Sequence, residues 1–155
     1  MSSVRLFAAS LLLAATLSAQ SLKLAQTIPL PGVDGRIDHL SLDTDGGRLF
    51  VAALGHDTVE VIDLKGGRVV RSLSGFDEPQ GVCYLAALNR LYVANGGTGV
   101  VDVLDGANFA HLAAIPCGDD ADNLRYDAAA QQILVGYDGG ALGIVDTATN
   151  TLAPS

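Results

Sequence analysis

Arg48-Leu49-Phe50-Val51-Ala52 returns as Arg90-Leu91-Tyr92-Val93-Ala94, and returns again as Gln132-Ile133-Leu134-Val135-Gly136. The interval is 42 residues both times, from position 48 to 90 to 132. Each run is apolar at successive positions, as a strand buried on both faces must be. A period of roughly 20–50 residues carried by strand-like runs marks a repeat architecture, in which each unit covers its neighbour's apolar face.

The sequence around these runs repeats in the same register. Asp38-His39-Leu40-Ser41-Leu42 reads as an inner strand before the first run, and Thr58-Val59-Glu60-Val61-Ile62-Asp63 as a third strand after it. Residues 68–73 complete the unit as an outer strand. The second unit follows with strands at 81–84, 90–94, 99–104 and 109–115. The third has strands at 123–126, 133–136 and 142–146, and it is expected to lack its outer strand. Gly-rich and Asp-rich turns punctuate the strands, since Gly supplies positive φ and Asp caps its own backbone. Asp63, Asp105 and Asp146 each end a third strand and read as such caps. No segment of the units has a sustained helical period. The pattern therefore predicts an all-β chain of about three four-stranded antiparallel repeats, a partial β-propeller, with almost no helix.

Residues 1–19 read as a segment outside the fold. Arg5 supplies a positive start, and residues 6–17 form an apolar run too short to cross a bilayer. Thr16-Leu17-Ser18-Ala19 offers small residues for cleavage. This is the form of a signal peptide, so the expectation is an exported protein, periplasmic or extracellular, with no membrane span after signal removal. The remaining 20–155 divides into blades at about 36–76, 77–118 and 119–155. Residues 22–30 precede the first blade as an extra outer strand ended by Pro29 and Pro31.

Of 155 residues, 17% are charged and 49% hydrophobic, which suits a packed domain. The formal net charge of -8 argues against a nucleic-acid partner, because phosphate binding needs a basic surface. Export permits a disulfide, but Cys83 falls on an inner strand and Cys117 at the end of an outer one. Three strand spacings, about 14 Å, separate such positions. A bridge needs α-carbons within about 7 Å, so two unpaired thiols are expected.

Leu91-Tyr92-Val93-Ala94-Asn95, together with Ile144-Val145-Asp146-Thr147-Ala148-Thr149-Asn150-Thr151, resembles the YVTN β-propeller repeat. In that family a Tyr-Val-Thr-Asn strand is followed by a Val-Ile-Asp-Thr strand and turn. The resemblance covers 36–155. It implies propeller blades in an exported or surface protein, commonly with seven blades. Three blades cannot close a ring of about four to eight. The resemblance therefore implies either missing C-terminal blades or a head-to-tail homo-oligomer.

In a propeller the links between blades and the turns from second to third strand emerge on one face, at the channel mouth. Here they carry Asp34, Asp38, Asp57, Asp77, Glu78, Asp119, Asp120, Asp122 and Asp138, nine of the seventeen acids, against the single base Arg36. Such a face attracts cations. Asp38, Gln80 and Asp122 align at 42-residue intervals, followed by His39, Gly81 and Asn123. The candidate ligand-binding residues are Asp38, His39, His56, Asp120, Asp122 and Asn123, with Asp38 and Asp122 as metal ligands. Their oxygens suit a hard divalent cation such as calcium, and the histidines a softer ion. His111, on an outer strand, reads as surface. Gly97-Thr98-Gly99 leads into a strand, so it has no phosphate-cradling context. There is no nucleophile elbow and no paired Cys or His zinc spacing, so no catalytic residue is assigned.

Three functions remain open at this point. One is a binding or interaction module whose acidic mouth takes a divalent cation, a cationic small molecule or a protein loop. The second is an enzyme, because the resemblance extends to lactonase and quinoprotein dehydrogenase propellers with a metal on the channel axis. The third is a surface-layer structural protein.

Overall fold

The computed structural model describes residues 22–154, so the expected signal peptide lies outside the described residues. Twelve strands form three separate four-stranded antiparallel sheets. The first blade holds β1 (Leu40–Asp43), β2 (Arg48–Ala53), β3 (Thr58–Asp63) and β4 (Arg68–Ser74). The second holds β5 (Pro79–Leu85), β6 (Arg90–Asn95), β7 (Val100–Asp105) and β8 (His111–Pro116). The third holds β9 (Leu124–Asp127), β10 (Gln132–Tyr137), β11 (Ala141–Asp146) and β12 (Thr151–Leu152). Each sheet is ordered as its strands occur in the chain, an up-and-down meander repeated three times. These are β-propeller blades. Helical structure among the described residues consists of three single 3₁₀ turns. None is long and apolar enough to cross a membrane.

The central strands are apolar on both faces because each blade is covered twice. From β2 and β3, Phe50, Ala52, Val59 and Val61 pack forward onto Val82, Leu91, Val93 and Leu104 of the second blade. From β6 and β7, Tyr92, Ala94, Val101 and Val103 pack forward onto Leu124, Ile133, Val135 and Val145 of the third. Leu91 and Tyr92 thus serve different interfaces, as the two-residue side-chain period of a strand requires. Burying a side chain of this size stabilises by about 1.5–3 kcal/mol. The period-42 runs are therefore the core itself.

Arginine locks the blades at the opposite end. Arg48 Nη1 donates to the Gly106 carbonyl of the next blade (2.8 Å), and its guanidinium lies over the rings of Phe50 and Tyr84. It also pairs with buried Asp43 at 2.8 Å. One repeat later, Arg90 Nη1 donates to the Thr147 carbonyl of the third blade (2.9 Å). The strand-ending aspartates act as caps. Asp63 accepts from the amide of Lys65, Asp105 from Ala107 and Asn108, and Asp146 from Ala148 and Thr149. These amide donors hold the Asp105 and Asp146 carboxyls below the usual carboxylate range.

Two expectations are corrected. The third blade has its outer strand: the Asp146-capped turn brings Thr151–Leu152 back beside β11, with Val145 opposite Leu152 and Asp146 opposite Thr151. Residues 22–30 form no strand. Gln26 of this segment lies against Gly67 in the turn before β4, and Pro29 and Pro31 carry no N–H for a ladder. Cys83 and Cys117 are unpaired, as expected.

Candidate functional site

The starts of the three inner strands converge at one end of the arc. Asp38 donates its amide to the Ala52 carbonyl at 2.8 Å, which ties the residues before β1 to the end of β2. The His39 amide donates to the Gln80 carbonyl of the next blade at 3.2 Å. Asp122 donates its amide to Gly136, and the Asn123 carbonyl accepts from the Gly136 amide, so the same pattern recurs in the third blade. Between them lies a β-bulge, where the β5–β6 register shifts between Pro79 and Gly81. A bulge re-aims the extra residue. Here that residue is Gln80, whose Nε2 donates to Asp120 Oδ1 at 2.7 Å.

Gly81 is the spacer of this cluster. A Cβ at Gly81 would stand 2.0 Å from the Asp122 carbonyl oxygen. Only a residue without a side chain lets the second and third blades approach so closely. That approach brings His39 of the first blade to Asp122 of the third, across the second. His39 Nδ1 lies 3.1 Å from Asp38 Oδ1 and 3.8 Å from Asp122 Oδ1. Arg36 Nη2 pairs with the other Asp38 oxygen at 2.8 Å.

The cluster is under-satisfied. His39 Nδ1, Asp122 Oδ1 and Asn123 Oδ1 are buried atoms with no hydrogen-bond partner; the 3.1 Å approach of His39 to Asp38 is off-line for a hydrogen bond. Such atoms carry a desolvation cost until a partner arrives. A cavity of about 420 Å³ opens beside Asp122, which lines it with Asp120, Gly136, Tyr137 and Leu142 among others. It offers two carboxylates and an aromatic ring, the groups that receive an organic cation.

Of the six ligand-binding candidates, the structure brings Asp38, His39, Asp122 and Asn123 together, with Asp120 beside Asp122 in the cavity. His56 stands apart: it is exposed in the 3₁₀ turn Leu54–His56, and no hydrogen bond or ion pair among the described residues joins it to the others. Among the described residues no group of three or more His, Cys, Asp or Glu is placed to hold a metal ion. Asp38 is engaged by Arg36 and faces His39. His111 is at the surface, where its Nε2 pairs with Asp102 at 2.8 Å. Sequence reasoning left Gln80 and Tyr137 out of the site. The register alignment of Gln80 with Asp38 and Asp122 was the available signal for the first. Nothing local to the sequence marks the second.

The links and turns at this end also meet one another. The Glu78 amide donates to Asp57 Oδ1, and the Gly96 amide to the Glu78 carbonyl, both at 2.9 Å.

No family model matches the chain, and no curated protein matches it. Among solved structures, the chain is similar to hydrazine synthase of Kuenenia stuttgartiensis, with a TM-score of 0.68 at 20% identity. The likeness covers 74% of this chain and 34% of that one, so the chain spans about a third of the length of its structural neighbour. At that identity the likeness bears on fold alone, and it agrees with three successive propeller blades.

Proposed function

We propose that this chain is a YVTN-type propeller module of an exported protein, and that it binds a cationic, amine- or guanidinium-bearing ligand at the inner-strand ends. One observation carries the reading: Asp122, whose Oδ1 is a buried acceptor without a hydrogen-bond donor, lines a cavity that also presents Asp120 and Tyr137. A ligand N–H⁺ supplies what this carboxylate lacks, and a hydrogen bond to a charged group is worth about 1.5–3 kcal/mol. The acidic residues of the links and turns would raise the local concentration of such a ligand. An organic cation fits better than calcium, because a hard divalent ion needs six to eight oxygens and the acids here are split between Arg36, Gln80 and the cavity.

Calorimetric titration with ethylammonium, putrescine and agmatine, and with calcium for comparison, tests it. The organic cations are expected to bind with a salt-dependent affinity that Asp122→Asn weakens about tenfold to a hundredfold. Absence of binding by all three, or binding unchanged in Asp122→Asn, refutes the reading. Calcium binding alone would replace the organic cation with a metal.

A further inference from the structure

Each carboxylate on the acidic cavity has one oxygen committed to the protein side. Asp120 Oδ1 accepts from Gln80 Nε2 at 2.7 Å. Asp122 Oδ1 is buried beside His39, whose Nδ1 lies 3.8 Å away. The Asp122 side chain as a whole is 45% exposed, so its other oxygen is the one that meets solvent. Asp120 is exposed as well, and no described residue donates to its Oδ2. A ligand in the cavity is thus offered one oxygen from each of two carboxylates.

The fold builds this arrangement from the second blade. The β-bulge between Pro79 and Gly81 re-aims Gln80 toward the third blade. Its amide lies over the turn after β6, where a Cβ at Gly96 would run into Gln80 Nε2 and stand 3.1 Å from Asp120 Oδ1. The link that carries Asp120 is set by the repeat, since Asp120 and Glu78, one period earlier, share the same left-handed φ of 49°. Of the aligned positions 38, 80 and 122, only Gln80 bears an amide that can donate.

This arrangement discriminates between cations. A guanidinium binds a carboxylate best through two parallel N–H···O bonds to both oxygens of the group. Neither Asp120 nor Asp122 has both oxygens to give. A primary ammonium needs no such pair, because its three donors diverge from one nitrogen and take single oxygens from separate groups. We infer that the cavity selects a primary alkylammonium ion over a guanidinium, with Asp120 Oδ2 and Asp122 Oδ2 as acceptors and Gln80 as the residue that sets the preference. The inference rests on the cation-binding reading above and narrows it to one class of ligand. Positive charge at Oδ2 compensates the same Asp122 carboxylate whose Oδ1 lacks a donor, and Tyr137 and Leu142 give the alkyl stem an apolar wall.

Calorimetric titration of the full chain with butylammonium, butylguanidinium and butyltrimethylammonium tests this. Butylammonium is expected to bind at least about tenfold more tightly than butylguanidinium. It is expected to exceed butyltrimethylammonium, which keeps the charge but has no N–H, by at least about tenfold as well. Gln80→Met keeps the side-chain length but cannot donate, so Asp120 regains a second open oxygen. The preference for ammonium over guanidinium is then expected to fall at least about threefold. Gln80→Leu serves as a second variant without the donor, and circular dichroism establishes that each keeps its strands. Butylguanidinium bound as tightly as butylammonium by the wild-type chain overturns the inference and leaves the cation-binding reading standing. A preference unchanged in the variants overturns it too. So does equal binding of butyltrimethylammonium, which would assign the affinity to charge and the Tyr137 ring alone. Binding of none of the three overturns both this inference and the reading it rests on.

Discussion

Gly81→Ala is the sharpest test of how the blades converge. Its φ is an ordinary negative one, so the effect is one of space alone. The added methyl meets the Asp122 carbonyl oxygen at 2.0 Å, with Leu124 Cγ at 3.1 Å and Ala94 Cβ at 3.2 Å behind it. A relaxed contact needs roughly 3.5 Å, so about 1.5 Å must be found. The nearest obstacle is backbone on a neighbouring blade, which yields only by moving the inner strands apart. Overpacking of this kind costs about 1–3 kcal/mol. Against it stands the gain of about 0.4–1 kcal/mol from a less free unfolded chain. Gly136→Ala isolates that gain, because its Cβ would meet nothing nearer than Asn123 Cβ at 3.9 Å. At about 2–4 °C per kcal/mol for a chain of this length, Gly81→Ala should melt roughly 2–12 °C below Gly136→Ala by calorimetry or circular dichroism. It should also separate His39 from Asp122, and so weaken ligand binding beyond any loss of stability. Equal melting of the two variants would refute the account of Gly81 as the spacer between blades.

Acid stability should report on Asp43. Burial pushes this carboxyl up, but the Gly46 amide and the Arg48 guanidinium outweigh burial and hold it below the usual value near 3.8. A folded-state value below the unfolded one stabilises above pH 4 and is lost as pH falls through the folded value. Urea midpoints measured from pH 6 to pH 2 should therefore drop below about pH 4, and Asp43→Asn should flatten that drop while lowering the midpoint at pH 6. The thiols should be inert in the folded chain: burial pushes Cys83 up to about 11 and raises Cys117, so little thiolate forms at pH 8. A thiol reagent should label both at least about a hundredfold faster in urea than in buffer, and fast labelling of Cys83 in the folded chain would contradict its burial.

The blade architecture was legible because it is written in period. A strand covered on both faces must be apolar at consecutive positions, and the 42-residue spacing of Phe50, Tyr92 and Leu134 carries that signature however the blades pack. The aspartate-capped turns at Asp63, Asp105 and Asp146 were legible for a similar reason, since they are local hydrogen bonds. Asp38, His39, Asp122 and Asn123 could be nominated from register alone. That they meet could not, because the meeting depends on how far apart two blades stand, and Gly81 decides this through an atom it lacks. His56 was nominated because the turns from second to third strand share a face with the links between blades; the turn that follows β2 leaves it exposed. The outer strand β12 was missed because two residues carry no period. Period and local capping are properties of the chain, so the sequence determined the blades and their turns. Contacts across blades depend on the separation and rotation of whole sheets, so only the tertiary structure decided which acids lose their partners and where the cavity opens.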